Sequence, residues 1–180
     1  MDDFSLRRVP YEHSDAQALI EEVQLEYVAR YGGRDASPVD VVEFDGDRGS
    51  FWVGYLDDVR AATGGWRLID DVAPPPFPDA GVAEVKRMYV TPAARGRGLA
   101  RAMLRHLERT ARAAGADWLV LETGMVQPEA VALYRSSGYA DVPPFGHYAC
   151  APLSVHLGRR LLEVPRGVRR MVPRTGRTGA

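Results

Sequence analysis

Apolar positions along the chain switch between a period of two and a period near 3.6, and the switches mark out its elements. Ser5 to Val9 is a short strand candidate. His13-Ser14-Asp15 then offers helix caps, and Ala18, Leu19, Val23, Leu25 and Val28 follow at helical spacing, which predicts a helix over residues 14–31 ended at Gly32-Gly33. Pro38 to Phe44 fits one further helical turn. Phe51 to Leu56 and Val59 to Leu68 read as strands joined by an Asp57-Asp58 turn, an antiparallel hairpin. Four prolines make residues 70–80 a loop.

The second half is more regular. Gly81 to Val90 reads as a strand with Glu84, Lys86 and Met88 on one face, because strand side chains alternate. Leu99, Met103, Leu104, Leu107, Ala111 and Ala114 repeat at helical spacing, with Arg101, Arg105, Arg109 and Arg112 on the other side, up to Gly115. Trp118 to Leu121 is a run of apolar residues expected as a buried strand. Pro128 to Ser137 is a helix with proline in its first turn, where the missing N–H costs nothing, and Gly138 stops it. Tyr139–Val142 and Ser154–Leu162 are the last strands. Strands and helices alternating after a hairpin predict an α/β chain built on a mixed sheet with helices on both faces.

Composition narrows the class. At 180 residues the chain is about one domain long, and a single cysteine, Cys150, excludes an internal disulfide framework and a multi-cysteine zinc site. No metal site is expected. No apolar run approaches the roughly 18 residues of a membrane span, and acid rather than base precedes Phe4, so a cytoplasmic protein is expected. The net charge of −1 hides an asymmetry: residues 164–180 carry five arginines and no acid, while the rest holds 18 basic and 24 acidic side chains, a net −6. The expected division is a folded domain over residues 1–163 and a basic, disordered tail over 164–180. Long-range repulsion from an acidic body argues against nucleic acid as the tail's partner.

Residues 84–100 carry the chemistry. A strand ends, a short loop follows, and Arg95-Gly96-Arg97-Gly98-Leu99-Ala100 opens the most amphipathic helix. Unpaired N–H groups at a helix start, with the helix dipole, form an anion site suited to a pyrophosphate. Glycine serves there either through positive φ or by letting a phosphate approach. Arg95 and Arg97 add charge. A dinucleotide-binding fingerprint would need a third glycine where Arg101 stands, and a nucleotide-hydrolase loop would need Gly-Lys-Ser/Thr, which is absent.

This segment resembles the Arg/Gln-x-x-Gly-x-Gly/Ala pyrophosphate signature of the GNAT (GCN5-related N-acetyltransferase) superfamily, with Arg95 first, Gly98 at the glycine and Ala100 at the final small position. A second block, Gln127-Pro128-Glu129-Ala130-Val131-Ala132-Leu133-Tyr134 followed by Gly138-Tyr139, is similar to the family's Asn-x-x-Ala-x-x-Leu/Phe-Tyr…Gly-Phe/Tyr block. The resemblance covers about residues 4 to 162. It implies a mostly antiparallel sheet of the acyl-CoA N-acyltransferase fold, acetyl-CoA as co-substrate, and direct acetyl transfer to an amine in a ternary complex. It further implies that the strand ending at Val90 splays from Trp118–Leu121. The pantetheine arm would bond the backbone of Met88 and Val90 about Tyr89, and the pyrophosphate would sit on the N–H groups of Arg95, Gly96, Arg97, Gly98, Leu99 and Ala100. The departure is Gln127, where many members carry Asn; it keeps the amide and adds one methylene.

An alkyl ammonium of pKa near 10.4 leaves roughly one molecule in 2,500 as free amine at pH 7, a deficit of about 4.6 kcal/mol that a positioned base can help overcome. Glu84 is the candidate general base, with Glu122 its rival, and a carboxylate paired with Lys86 or Arg87 is the structural alternative for Glu84. Tyr134 is the candidate general acid toward the leaving thiolate. The acceptor site implied by the resemblance lies in Tyr31–Phe44 and Pro143–Pro152. Its Asp35, Asp40 and Glu43, with Tyr31, Arg34, Phe145 and Tyr148, would suit a cationic small-molecule amine. Of the histidines, His13 is expected near a helix cap and His106 solvated on a polar helix face; His147 and His156 border the acceptor loop. Protein or peptide acetylation, and a non-catalytic acyl-CoA-binding module, are the alternative functions. The exposed edges of a mixed sheet leave a homodimer open.

Overall fold

In the computed structural model, which describes residues 3–69 and 80–161, seven strands form one sheet in the order β1-β2-β3-β4-β5-β7-β6. In chain order these are β1 (Phe4–Val9), α1 (Ser14–Tyr31), a 3-10 turn (Val41–Phe44), β2 (Gly49–Leu56), β3 (Val59–Leu68), β4 (Val82–Val90), a second 3-10 turn (Pro92–Ala94), α2 (Leu99–Ala113), β5 (Trp118–Gly124), α3 (Pro128–Ser136), β6 (Ala140–Asp141) and β7 (Ser154–Arg160). All neighbouring pairs are antiparallel except β4 with β5, which run parallel. The expected mixed, mostly antiparallel sheet is therefore present. The proline-rich loop and the Arg-rich tail lie outside the described residues, apart from Ala80. Among the described residues no helix is long and apolar enough to cross a membrane.

The strands divide their side chains between two layers. Phe51, Val53 and Tyr55 of β2 meet Ala16, Leu19, Ile20 and Val23 of α1 on one face. Ala62, Trp66, Ala83 and Val85 meet Met103, Leu104, Leu107 and Ala111 of α2 on the other, with Tyr134 of α3 and Tyr139 in the same cluster. The buried indole N–H of Trp66 donates to Thr110 Oγ1 at 2.8 Å, so the large ring is packed without an orphaned donor. His13 caps α1, its Nδ1 accepting from the Asp15 amide at 3.2 Å, and Gly32 ends that helix with φ +78°.

Four expectations are corrected. The buried stripe of α1 is Ala16, Leu19, Ile20 and Val23, with Leu25 57 % exposed and Val28 also exposed. β5 runs to Gly124, because Glu122-Thr123-Gly124 keep pairing with His156, Val155 and Ser154 of β7. His106 is not a solvated residue: its ring lies 4.0 Å from that of Trp52, and burial, then the Arg109 charge, lowers its pKa to about 4. Met88 leaves the face of Glu84 and Lys86. Gly65 pairs with Lys86 and Thr63 with Tyr89, so β4 carries one residue more than β3 between these pairs. This is a β-bulge, and Arg87 within it has φ +54°, uncommon for a side-chain-bearing residue. Beyond the bulge Met88 turns to the α2 cluster and Tyr89 to the α1 cluster.

Two stability predictions follow from this packing. Leu107 is wholly buried between α2 and the sheet, so Leu107→Ala lowers the unfolding free energy by about 2–5 kcal/mol in urea titration. Because His106 is depressed in the folded state, the unfolded chain binds the extra proton between pH 6.5 and about 4, and stability falls as pH falls through that window. His106→Phe flattens this part of a melting-temperature profile against pH.

Candidate active site

The parallel pairing of β4 with β5 stops early. Val82, Ala83 and Glu84 pair with Trp118, Leu119 and Val120, and there the ladder ends although both strands continue, to Val90 and Gly124. The strands splay, as the resemblance implies, and among the described residues the β5-facing edge of β4 beyond Glu84 has no strand partner. The gap opens into a cleft of about 790 Å³ lined by the C-terminal part of α1, residues 85–90, the start of α2, the end of β5, α3 and residues 151–154. Tyr31 of α1 leans across it onto β5, so close that a Cβ at Gly124 would stand 1.8 Å from its hydroxyl oxygen. Any larger residue there would have to push the Tyr31 ring aside.

One end of the cleft is the opening of α2. Gly96 and Gly98 have φ +76° and +79°, and a Cβ at either would meet nothing within 4 Å, so it is the backbone turn that requires them. The first-turn N–H groups of α2 have no partners within the helix and stand where an anion can reach them. Leu99 is buried and anchors the helix start; Ala100 lines the cleft beside it. Arg95 lines the cleft as well. Its Nε donates to the Val90 carbonyl at 3.0 Å, and its guanidinium pairs with Glu26 of α1. Glu26 also faces Arg30 at 3.9 Å, and Arg30 pairs with Glu129 of α3, so a chain of charges links the α2 loop, α1 and α3 across the mouth. Arg97 is exposed and is not part of the cleft lining. Met88, Tyr89, Val90 and Gln127 all line the cleft, and Gln127 Nε2 donates to the Tyr31 hydroxyl at 2.9 Å. Gln127 thus braces α1.

The middle of the cleft holds Glu122 and Tyr134. Glu122, on the extended end of β5, accepts from Ser154 Oγ at 2.9 Å. Burial pushes its carboxyl up; Ser154 and Lys86 oppose the shift and the Glu84 charge adds to it. Tyr134 is enclosed within α3 and against Tyr139, and burial raises its phenol well above the ordinary range. Tyr27 of α1, which the sequence pattern does not single out, is raised in the same way and feels the charges of Arg87, Tyr134, Tyr31 and Glu122. Its signal is visible only as an aromatic one helical turn before Tyr31.

Glu84 is placed elsewhere. It is 5 % exposed and outside the cleft lining. One carboxylate oxygen accepts from Nε and a terminal nitrogen of Arg67, both at 3.0 Å, and the other faces Lys86 Nζ at 2.7 Å. Arg67 also pairs with Glu43. A carboxylate whose oxygens are held by a guanidinium and an ammonium is poorly disposed to take a proton from an acceptor.

The acceptor end also departs from expectation. Asp40 and Glu43 lie outside the cleft lining, Arg34 pairs with Glu21, and Asp35 pairs with the buried Arg87. Phe145 is buried with Val82 and Val120 beside His156 rather than facing the cleft. His156 is buried opposite Glu122 in the β5–β7 register, and burial lowers its pKa. The lining charges at this end are Arg34, Asp35, Lys86, Arg87 and Glu122, not a set of free carboxylates.

Comparison with known proteins gives the family and the fold. The sequence model of the acetyltransferase (GNAT) family matches residues 16–139. The chain is similar to the IAA acetyltransferase of Azospirillum brasilense, 48 % identical over 83 residues, which are 46 % of this chain and 54 % of that protein; the matched part spans about half the relative's length. Among solved structures it is similar to a Klebsiella pneumoniae protein assigned as an acyl-CoA N-acyltransferase, with TM-score 0.73 and 24 % identity over 88 % of this chain and 98 % of that one. It is also similar to YncA of Salmonella typhimurium, whose structure contains its cofactor acetyl-CoA, with TM-score 0.60 and 20 % identity over 89 % and 95 % of the two chains. With its family match over most of the chain and the splayed sheet of that fold, this chain belongs to the acetyltransferase (GNAT) family.

Proposed function

We propose that the protein transfers the acetyl group of acetyl-CoA to the amine of a small molecule held with it in the cleft, with Glu122 as general base and Tyr134 as donor to the leaving sulfur. The observation that carries this reading is the gap between β4 and β5, which joins the glycine-opened start of α2 to a half-buried carboxylate and a buried phenol. Acetyl-CoA supplies the acetyl group as an activated thioester. The residues present fit it: a helix N-terminus and Arg95 toward the pyrophosphate, and the unpartnered edge of β4 at Met88 and Val90 toward the pantetheine amides.

Glu122 takes one proton from the acceptor ammonium. Its raised pKa makes it a stronger base than an ordinary carboxylate, which narrows the gap to an amine. The freed lone pair forms the N–C bond as the C–S bond breaks, and the bonding pair goes to sulfur. The nitrogen loses its second proton as sulfur gains one, with the Tyr134 phenol donating to the sulfur. The proton on Glu122 returns to solvent. Glu84 keeps a positioning role through Lys86 and Arg67.

Calorimetric titration with acetyl-CoA tests the cofactor half: binding is expected at micromolar concentration, and Gly98→Val, which forces a β-branched residue to φ +79°, weakens it about tenfold or more. Absence of binding to the folded protein overturns the reading. An acceptor panel of free amines, peptides and IAA, the last because of the relative's name, tests the transfer. Turnover on peptides alone makes the acceptor a protein; binding without any turnover makes the protein an acyl-CoA-binding module.

For an acceptor that turns over, Glu122→Gln and Tyr134→Phe each lower kcat by about 10²- to 10⁴-fold, while Glu84→Gln has a smaller effect. The wild-type kcat/KM falls as pH falls through the raised Glu122 value, because the protonated carboxyl cannot accept the proton. In Glu122→Gln that acid limb is lost.

A further inference from the structure

Arg87 is the feature of the cleft that the transfer chemistry leaves unused. It is 8 % exposed and lines the acceptor end. The bulge with φ +54° puts it next to Lys86 in the cleft wall, where strict alternation would send one of the two to the opposite face. A guanidinium carries five N–H donors. Among the described residues the acceptor of an Arg87 hydrogen bond is Asp35 alone, through one terminal nitrogen. The Arg87 Nε is enclosed and has no partner.

Asp35 has no capacity left for the other donors. One of its oxygens accepts from the Ser37 amide and from the Tyr148 hydroxyl, both at 2.8 Å. Its second oxygen accepts from Ser37 Oγ at 3.0 Å and from Arg87. An ionised carboxylate offers about four lone-pair sites, and four donors occupy them. Gln24 and the Asp35 amide hold the same loop from behind, at 2.9 Å. Arg87 is therefore fixed in place by a saturated partner, with a buried charge whose remaining donors have no acceptor among the described residues.

We propose that Arg87 docks a carboxylate carried by the acceptor, so that the preferred substrate is an amine that also bears a carboxylate, as an amino acid does. A planar carboxylate matches the fork of a guanidinium with two parallel hydrogen bonds. A single negative charge also suits the surroundings better than a phosphate dianion, since Glu84 stands on the same strand and Glu122 on β5 beside it. The two ends of such a zwitterion find opposite groups: the ammonium meets Glu122 and the carboxylate meets Arg87, flanked by Lys86. This reverses the cationic-amine expectation from composition. It rests on the acetyl-transfer reading above.

The test uses the full chain and matched acceptors that differ only in the carboxylate, L-phenylalanine with phenethylamine and L-lysine with cadaverine, after calorimetry has established acetyl-CoA binding. In the wild type kcat/KM is expected to favour the carboxylate member by about tenfold or more. Arg87→Gln collapses that ratio toward one by raising KM for the carboxylate member, and Arg87→Lys restores part of it. A purely structural role would lower both members of a pair together and leave the ratio unmoved. The wild type alone gives a second readout should the variants not fold: 3-phenylpropionate competes with the acceptor, and its amide competes about tenfold less well or worse. A decarboxylated amine turned over as well as its partner, an unchanged ratio in Arg87→Gln, or equal inhibition by acid and amide overturns the carboxylate dock and leaves acetyl transfer standing. Acetyl-CoA binding with no amine acetylated overturns the transfer reading itself, and the dock with it.

Discussion

The parallel ladder between β4 and β5 lasts for three residue pairs, and the rest of the site depends on its ending there. A parallel sheet that stayed paired to Val90 would bury both strand edges and leave no gap. The bulge at Arg87 works against such pairing. One extra residue in β4 re-aims the strand, shifts its register against β3, and turns Met88 toward α2 and Tyr89 toward α1. A left-handed backbone at a large side chain costs of order 1–3 kcal/mol. It persists because the Arg87 guanidinium is tied to Asp35 on one side while Tyr89 is packed with Val53 and Leu19 in the α1 core beyond it. The same local distortion opens the cleft, frees the β4 backbone edge, and places a cation in the wall.

Around that gap, charge is distributed by ion pairs between segments distant in the chain. Arg67 and Lys86 hold Glu84; Arg87 holds Asp35; Arg95, Glu26, Arg30 and Glu129 form a chain across the mouth. The first two sets are largely buried, where removal of one partner is costly and pairing fixes geometry more than it adds stability. The chain at the mouth is more exposed, and such pairs contribute little to stability. Its effect is to hold Arg95 beside the anion-binding turn while Glu26 competes for it. A pyrophosphate arriving at α2 would meet that arginine already nearby. Glu122 stands apart from these pairs: among the described residues it has a hydroxyl partner and a nearby ammonium but no direct ion pair, and burial is what raises its proton affinity.

Much of the fold was legible because its pattern is local. The apolar repeat from Leu99 to Ala111, the hairpin either side of Asp57-Asp58 and the two glycines before Leu99 each declare themselves within a few residues, and the structure places all three as read. What was not legible depends on distant partners. Glu122-Thr123-Gly124 look like the end of a strand until β7 pairs with them. Leu25 and Val28 fit a helical stripe, but the sheet meets α1 one step round, at Ala16, Leu19, Ile20 and Val23. Glu84 and Glu122 are both strand glutamates near the motif. Arg67, 17 residues from Glu84 in sequence, separates their surroundings, and no spacing rule reveals that contact. The bulge is hidden for the same reason, since Glu84, Lys86 and Met88 alternate faultlessly on paper.

Burial acts in one direction on the central groups, and this constrains what each can do. It raises Glu122, Tyr134 and Tyr27 together, because an apolar wall disfavours every anion it encloses. For a base this is an advantage, since a carboxyl raised toward neutrality holds the proton it removes more firmly. For an acid it is the reverse. A thiol has pKa near 8.5, and a phenol pushed above its ordinary value near 10 would have to lose its proton to a weaker base. Complete transfer from Tyr134 to sulfur is therefore uphill, and a lasting tyrosinate is disfavoured by its surroundings. A hydrogen bond from a phenol that stays protonated has no such cost. It stabilises charge as it develops on sulfur, and in a water-poor cleft it is stronger than in solution. Under the proposed transfer, the proton that finally neutralises the thiolate would come from the nitrogen that has just been acylated, with Tyr134 bridging the two. In the proposed arrangement the same desolvation that would make Glu122 an effective base would keep Tyr134 a permanent donor, and neither group would have to be reset between turnovers except by the loss of one proton from Glu122.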